Sequence, residues 1–224
     1  MRLGSFIVAY GVVLAFLLIA VRHPAPRPQN HYSQVVDLTD PTPAKANSEA
    51  RSGTRIISPA ALIPGTWGAA QIPAERLIAP LVVMDLKASS AQISVDDIAN
   101  WEAQHGHVPQ GAIVAVRRVG SALISSDQFP VSSDAGQFLM NARCTRGFIV
   151  ETSASLESDH MLSHQIAMHG NYVVEGSARL SALPETGSLI IVAPGKNSNA
   201  GESAVRVLAM VGEHDTASKE RPFL

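Results

Sequence analysis

The sequence predicts an α/β domain, and three observations carry that reading. Strand-like and helix-like segments alternate from about residue 32 onward. The strand-like runs are continuously apolar rather than alternating, as in PLVVMDLK at 80–87 and AIVAVR at 112–117; that pattern marks strands buried on both faces. Hydrophobic residues make up 46% of the 224 and charged residues 16%, enough apolar material for one sizeable core and too much for a disordered chain.

In chain order, Gln34–Thr39 and Thr54–Ser58 read as short strands and Pro80–Lys87 as a stronger one. Ser94–Gln104 reads as a helix. Ser94 suits the N-cap, Asp97 follows three residues on, and Val95, Ile98 and Trp101 share a face. Gly106 ends it. Ala112–Arg117 is the next strand, Ser133–Ala142 a serine-capped helix and Gly147–Thr152 a strand. Leu162–His169 reads as a short helix stopped by Gly170, and Tyr172–Glu175, Leu189–Ala193 and Ala204–Val211 as further strands. No internal repeat is visible, and the polar tail 213–224 is expected to fray.

Ahead of the domain, residues 3–21 form a run of nineteen without a charge, LGSFIVAYGVVLAFLLIAV. As a helix it nearly spans a hydrocarbon core of about 30 Å at roughly 1.5 Å per residue. Residues 1–23 are therefore a signal anchor or a cleaved signal peptide; the length of the run and the lack of a clean small-x-small cleavage site favour the anchor. Export to the periplasmic or extracellular side is expected. Residues 24–31, PAPRPQNH, carry three prolines and read as an extended linker. The domain itself is expected over 32–212.

Composition excludes some functions. Lys and Arg number 17 and Asp and Glu 19, for a net charge of -2, which leaves no basic excess for nucleic-acid binding. A single cysteine, Cys144, rules out an intrachain disulfide and a cysteine-rich zinc module.

Six segments in order resemble the cyclase family, whose best-known members are bacterial kynurenine formamidases and related metal-dependent amide hydrolases. They are VVDLTDP at 35–41, IPAERLIAPLVVMDLKA at 72–88, ISVDDIANWEAQHGHVPQGAIVAVR at 93–117, ETSASLES at 151–158, SHQIAMHGNYVVEGSARLSALPETGSLIIVAPGK at 163–196 and GESAVRVLAMV at 201–211. The resemblance implies a swivelling β/β/α domain in homo-oligomers. It also implies a reaction of tryptophan catabolism, the hydrolysis of an N-formyl aryl amide such as N-formylkynurenine, on zinc or manganese. Such a metal polarises the carbonyl and activates its bound water.

The family carries H-x-G-T-H-x-D early in the chain. Here the matching stretch runs from Ile63 to Ala69: Gly65 and Thr66 match, Ile63 and Trp67 replace the two His, and Ala69 replaces the Asp. None of the three replacements can ligate a divalent metal, and the stretch before IPAERL is shorter than the family's. Downstream, His164 and Glu175 resemble the family's His and Glu and are the candidate catalytic pair. Ser155 and Glu157 approximate a Ser-Leu-Asp loop.

The remaining residues are weighed on their own chemistry. His160 and His164 stand at i,i+4, a spacing used by zinc pairs, so a rebuilt site of His160, His164 and Glu175 holding zinc or manganese stands beside the plainer reading of ordinary surface or capping histidines. His169 is one residue off that face. His105 and His107 flank Gly106 and read as capping or solvated side chains. Cys144, between Arg143 and Arg146, reads as a packing residue before a nucleophile. Trp67 reads as a filler of the vacated metal cavity, with a platform for a small aromatic ligand as the alternative. The glycine-rich turn 195–201 lacks a phosphate-loop pattern.

Two functions compete. One is a degenerate member that keeps the fold for binding or assembly and has lost hydrolysis. The other is an active arylformamidase-type hydrolase working from His164 and Glu175. The missing ligands favour the first.

Overall fold

A computed structural model describes residues 32–40, 53–120, 128–151, 159–196 and 201–212. The N-terminal apolar run, the proline linker, Ser155, Glu157, most of the 195–201 turn and the C-terminal tail lie outside the described residues. No helix among those described is long and apolar enough to cross a membrane.

Eight strands are present among the described residues: β1 (Tyr32–Asp37), β2 (Arg55–Ile57), β3 (Ile78–Lys87), β4 (Ile113–Val119), β5 (Gly147–Val150), β6 (Tyr172–Glu175), β7 (Ser188–Pro194) and β8 (Glu202–Gly212). Among the described residues four α-helices connect them: α1 (Pro59–Leu62), α2 (Val95–His105), α3 (Ser133–Ala142) and α4 (His160–Met168). All belong to one compact unit that begins at Tyr32.

The centre of the sheet is parallel, β3–β4–β5–β6, and each parallel step crosses over through one helix, α2, α3 or α4 in turn. The flanks are antiparallel. β7 pairs with β3, and β2 pairs with β6. β8 closes the ring: its first residues pair with β2, as in Ile57 with Glu202, while Val205 to Val211 pair with β7. A seven-stranded barrel-like sheet results, with β1 added on β8 beyond β2.

Strict alternation of side chains sorts the apolar runs into two cores. Leu81, Val83, Ile113, Ala115, Ile149, Tyr172 and Val174 point into the barrel. Val82, Met84, Val114, Val116, Phe148, Val150 and Val173 point outward beneath the helices. Both sets are buried, which is why the runs show no polar alternation. The architecture is a single α/β domain consistent with a cyclase-like fold.

Helix signals behave as the residues dictate. Ser94 accepts from Asp97 N, and Asp97 Oδ2 accepts from Ser94 N at 2.9 Å, a complete capping box. Ser132 caps α3. α4 starts two residues earlier than the pattern indicates, because Asp159 accepts from Leu162 N at 2.9 Å. The four-residue α1 is too short to leave a periodic signal and is absent from the sequence reading.

Candidate functional site

The segment from Ile63 to Ala69, which the resemblance aligns with the metal motif, forms a turn after α1. Ser58 fixes the start of that helix, with both N and Oγ donating to Gly201 O at 2.8 and 2.7 Å. Pro59 opens α1, where its missing N–H costs nothing. The chain then reverses through Gly65 at φ +87, and Thr66 Oγ1 donates to Ile63 O at 2.7 Å. Ala60 N donates to Trp67 O at 3.0 Å and ties the turn back on the helix. Ala69, 1% exposed, sits in the barrel-side core.

Trp67 stays 40% exposed. It does not fill an interior cavity, because its ring is held at the rim between two neighbours. One face lies against Gly170, and the Arg76 guanidinium carbon stands 5.7 Å from the ring centroid, a cation–π distance. Arg76 in turn donates through Nη2 to Asn171 Oδ1 at 2.7 Å and to His169 O at 3.3 Å. Its backbone carbonyl accepts from Tyr172 Oη at 2.9 Å. Nearby, Arg146 donates to Glu75 O and Ile78 O. Burial, then the Arg146 charge, lowers the Arg76 pKa below the usual guanidinium range. Arg76 Nε and Asn171 Nδ2 are buried without a hydrogen-bond partner among the described residues. Neither Arg76 nor Asn171 stood out in the sequence; the segment that carries Arg76 was visible only as part of the IPAERL stretch.

The downstream candidates do not gather. α4 buries Leu162, Ile166 and Ala167 and therefore turns His160 and His164 to solvent, where both are exposed. Glu175 is 1% exposed at the end of β6, in register with Arg55 of β2. Among the described residues no group of three or more His, Cys, Asp or Glu lies close enough to hold a metal ion, so His160, His164 and Glu175 form no rebuilt centre. His169 is exposed. His105 is neither a cap nor free: Nε2 meets Glu185 Oε2 at 2.7 Å and its ring lies 4.7 Å from Trp101. His107, largely exposed, meets Glu102 at 3.1 Å. Cys144 is exposed at φ +51 rather than packed. Its neighbours are committed elsewhere, Arg143 to Glu102 and Arg146 to backbone carbonyls.

The family model described as "Putative cyclase" matches residues 18–155. The chain belongs to this family. An isatin hydrolase of Roseibium aggregatum is 27% identical over 160 residues, 61% of each chain, so the cyclase-family chain spans about 61% of that curated relative's length. Among solved structures it is similar to isatin hydrolase A from Labrenzia aggregata bound to benzyl benzoate, at TM-score 0.65 and 26% identity, covering 80% of this chain and 94% of that one. Isatin hydrolase A from Ralstonia solanacearum superposes at TM-score 0.63 and 24% identity over 80% and 92%. A potential metal-dependent hydrolase with cyclase activity does so at 0.59 and 22% over 79% and 96%.

The sequence resemblance makes a divalent metal the group to test against this cyclase-family site. The donors do not fit it. Ile63 and Ala69 offer no lone pair, and the Trp67 indole N–H only donates. The side chains of Ile63, Trp67 and Ala69, which the resemblance aligns with the metal motif, therefore supply no ligand to a divalent ion. A concavity of about 190 Å³ opens on α2, lined by Asp85, Lys87, Asp97, Trp101, His105 and Glu185 among others. Its acids are largely satisfied: Asp85 takes Arg117 Nε and Nη2 at 2.6 and 3.0 Å, and Glu185 takes His105.

Proposed function

We propose that this cyclase-family domain no longer carries out metal-dependent amide hydrolysis and acts instead by binding or assembly. One observation carries the reading: the three motif positions that would supply two imidazoles and a carboxylate hold Ile63, Trp67 and Ala69, and Trp67 is engaged with Arg76 and Gly170. Loss of residues that merely support metal ligands costs about 10–100-fold in affinity or activity; loss of the ligands themselves costs more. The half-exposed indole beside a cationic guanidinium suits a planar, anionic aromatic ligand. Display at a membrane surface through residues 3–21, and homo-oligomerisation, belong to the same proposal.

The test is elemental analysis of the full chain purified without chelators, together with hydrolysis assays on isatin and N-formylkynurenine. Far less than one zinc or manganese per chain and turnover at the blank rate are expected. About one equivalent of either metal, with turnover that chelation removes and the metal restores, would overturn the proposal.

A further inference from the structure

Arg76 is a cation held by neutral groups. Its Nη2 donates to Asn171 Oδ1 at 2.7 Å and to His169 O at 3.3 Å, and its guanidinium carbon stands 5.7 Å from the centre of the Trp67 ring. The residue's own carbonyl is pinned by the Tyr172 hydroxyl at 2.9 Å. Asn171 is fully buried, and its backbone N donates to Ile166 O at 2.9 Å. The guanidinium is therefore fixed in place before any ligand arrives. Nη1 makes no hydrogen bond among the described residues and, unlike Nε, is not shut off from solvent.

Charge around this group is unbalanced. Among the described residues no carboxylate forms an ion pair with Arg76 or with Arg146. Arg146 donates to Glu75 O, the carbonyl next to Arg76 in the chain, and after burial its charge is the main influence lowering the Arg76 pKa. The exposed Glu75 opposes that shift, as the weakest of its causes. Arg76 Nε and Asn171 Nδ2 are buried donors without acceptors among the described residues. Such unopposed N–H dipoles add to the positive potential, and that potential favours an anion.

Two exposed apolar side chains narrow the class of anion. Trp67 is 40% exposed beside Arg76, and Ile78, whose carbonyl accepts from Arg146 at 3.2 Å, is 49% exposed. Inorganic phosphate gains nothing from apolar neighbours, whereas a carboxylate with an apolar body gains by covering them. A guanidinium also matches the planar geometry of a carboxylate. We propose that Arg76 binds the carboxylate of a small ligand with an apolar body. Asn171 is the positioning residue that holds the guanidinium, Arg146 adds charge, and Trp67 meets the apolar part. This names the ligand class for the binding role proposed above and rests on that reading.

The experiment titrates the full chain with benzoate, benzamide and inorganic phosphate by calorimetry, on the preparation used for elemental analysis. Benzoate is expected to saturate a single site. Benzamide, its neutral isostere, should bind at least tenfold more weakly, and phosphate should not compete. Arg76→Gln should weaken benzoate at least tenfold. Asn171→Asp gives Arg76 an internal carboxylate and should weaken benzoate as much, with the fold retained by circular dichroism. In the parent chain the Trp67 indole N–H resonance, identified by its loss in Trp67→Phe, should shift on adding benzoate, a readout that needs no change at Arg76 or Asn171. Absence of saturation, equal affinity for benzamide, competition by phosphate, unchanged affinity in both variants, or a shift confined to the Trp101 resonance would overturn the proposal. Failure of benzoate to bind a metal-free, inactive chain overturns this inference and leaves the loss of hydrolysis standing. A metal equivalent with turnover overturns that reading, and benzoate binding that chelation abolishes overturns this inference with it.

Discussion

The indole of Trp67 rests against Gly170 so closely that a Cβ built there would stand 3.0 Å from its Cζ3 and 3.4 Å from its Cε3. Gly170 also holds φ +64, a left-handed conformation that costs an L-residue about 1–2 kcal/mol. Gly170→Ala therefore meets two penalties, one from the backbone and one from the ring. A loss of about 2 kcal/mol is expected in denaturant unfolding, with altered tryptophan emission. In a double-mutant cycle Trp67→Ala should relieve only the ring's share. Strict additivity would mean that the contact carries no energy.

Tyr172 fills the barrel interior and donates its hydroxyl to Arg76 O at 2.9 Å, which locks the turn that bears Arg76 beneath Trp67. Tyr172→Phe leaves that bond unmade in a buried setting, and a loss of about 1–2 kcal/mol is expected from thermal unfolding. Burial pushes the phenol well above its ordinary value of 10.0. The folded state then keeps a proton that the unfolded state gives up. Its contribution is complete below pH 10 and is lost as pH rises further. In an alkaline spectroscopic titration Tyr172 should ionise last, together with unfolding; early ionisation would contradict its placement.

Two glycines with the same short clearance should respond differently. A Cβ on Gly147 would stand 2.6 Å from Tyr172 O, the backbone of the paired strand. Nothing there can yield without moving β5 or β6, so Gly147→Ala is expected to cost about 3 kcal/mol. On Gly136 a Cβ would meet Leu162 Cδ1 at 2.5 Å, the far end of a side chain that can rotate. Within a helix, alanine also regains about 1 kcal/mol over glycine. Gly136→Ala should be much the milder, and equal losses in urea melts would refute the distinction.

These elements differ in how much of themselves the sequence displays. Burial on both faces leaves continuous apolar runs in β3 to β6, the flanking strands keep apolar residues at alternate positions, and so all eight strands were legible; Ser94 with Asp97 announced the start of α2. Closure of the barrel was not: β8 pairs Glu202 with Ile57 and Val211 with Ser188, and no local pattern encodes partners so distant. The outward direction of His164 was present in the sequence. Leu162 and Ile166 mark the buried side of α4, and residue 164 falls on the opposite side. Arg76 and Asn171 come from separate segments that meet only in the fold, so no spacing could pair them. That Ile63, Trp67 and Ala69 carry no metal-ligating side chain is a matter of residue type; their alignment with the family's motif rests on the resemblance. The exposure of Trp67 was not readable, because it depends on Gly170 and Arg76.

The Glu102–Arg143 pair ties α2 to the end of α3, and it sets an acid limit on the fold. Arg143 Nε and Nη2 donate to the two carboxylate oxygens at 2.6 and 2.7 Å, and Val108 N adds a third bond at 2.9 Å. The Arg143 guanidinium is the main cause that holds Glu102 down to about 2 from 4.5. The unfolded chain therefore binds a proton at a higher pH than the folded one. The stabilisation is whole above about pH 4.5 and is lost as pH falls toward 2. Each tenfold change in proton affinity between the two states corresponds to about 1.4 kcal/mol; with solvent screening at Arg143, roughly 2 kcal/mol should disappear across that window. Glu102→Gln removes the charge and keeps the shape. It is expected to flatten the slope of unfolding free energy between pH 4.5 and 2 and to cost about 1–2 kcal/mol near neutral pH. Arg143→Lys should lose most of the same slope, because a single ammonium cannot reproduce the two-pronged contact. An unchanged pH profile in both variants would place the acid sensitivity elsewhere.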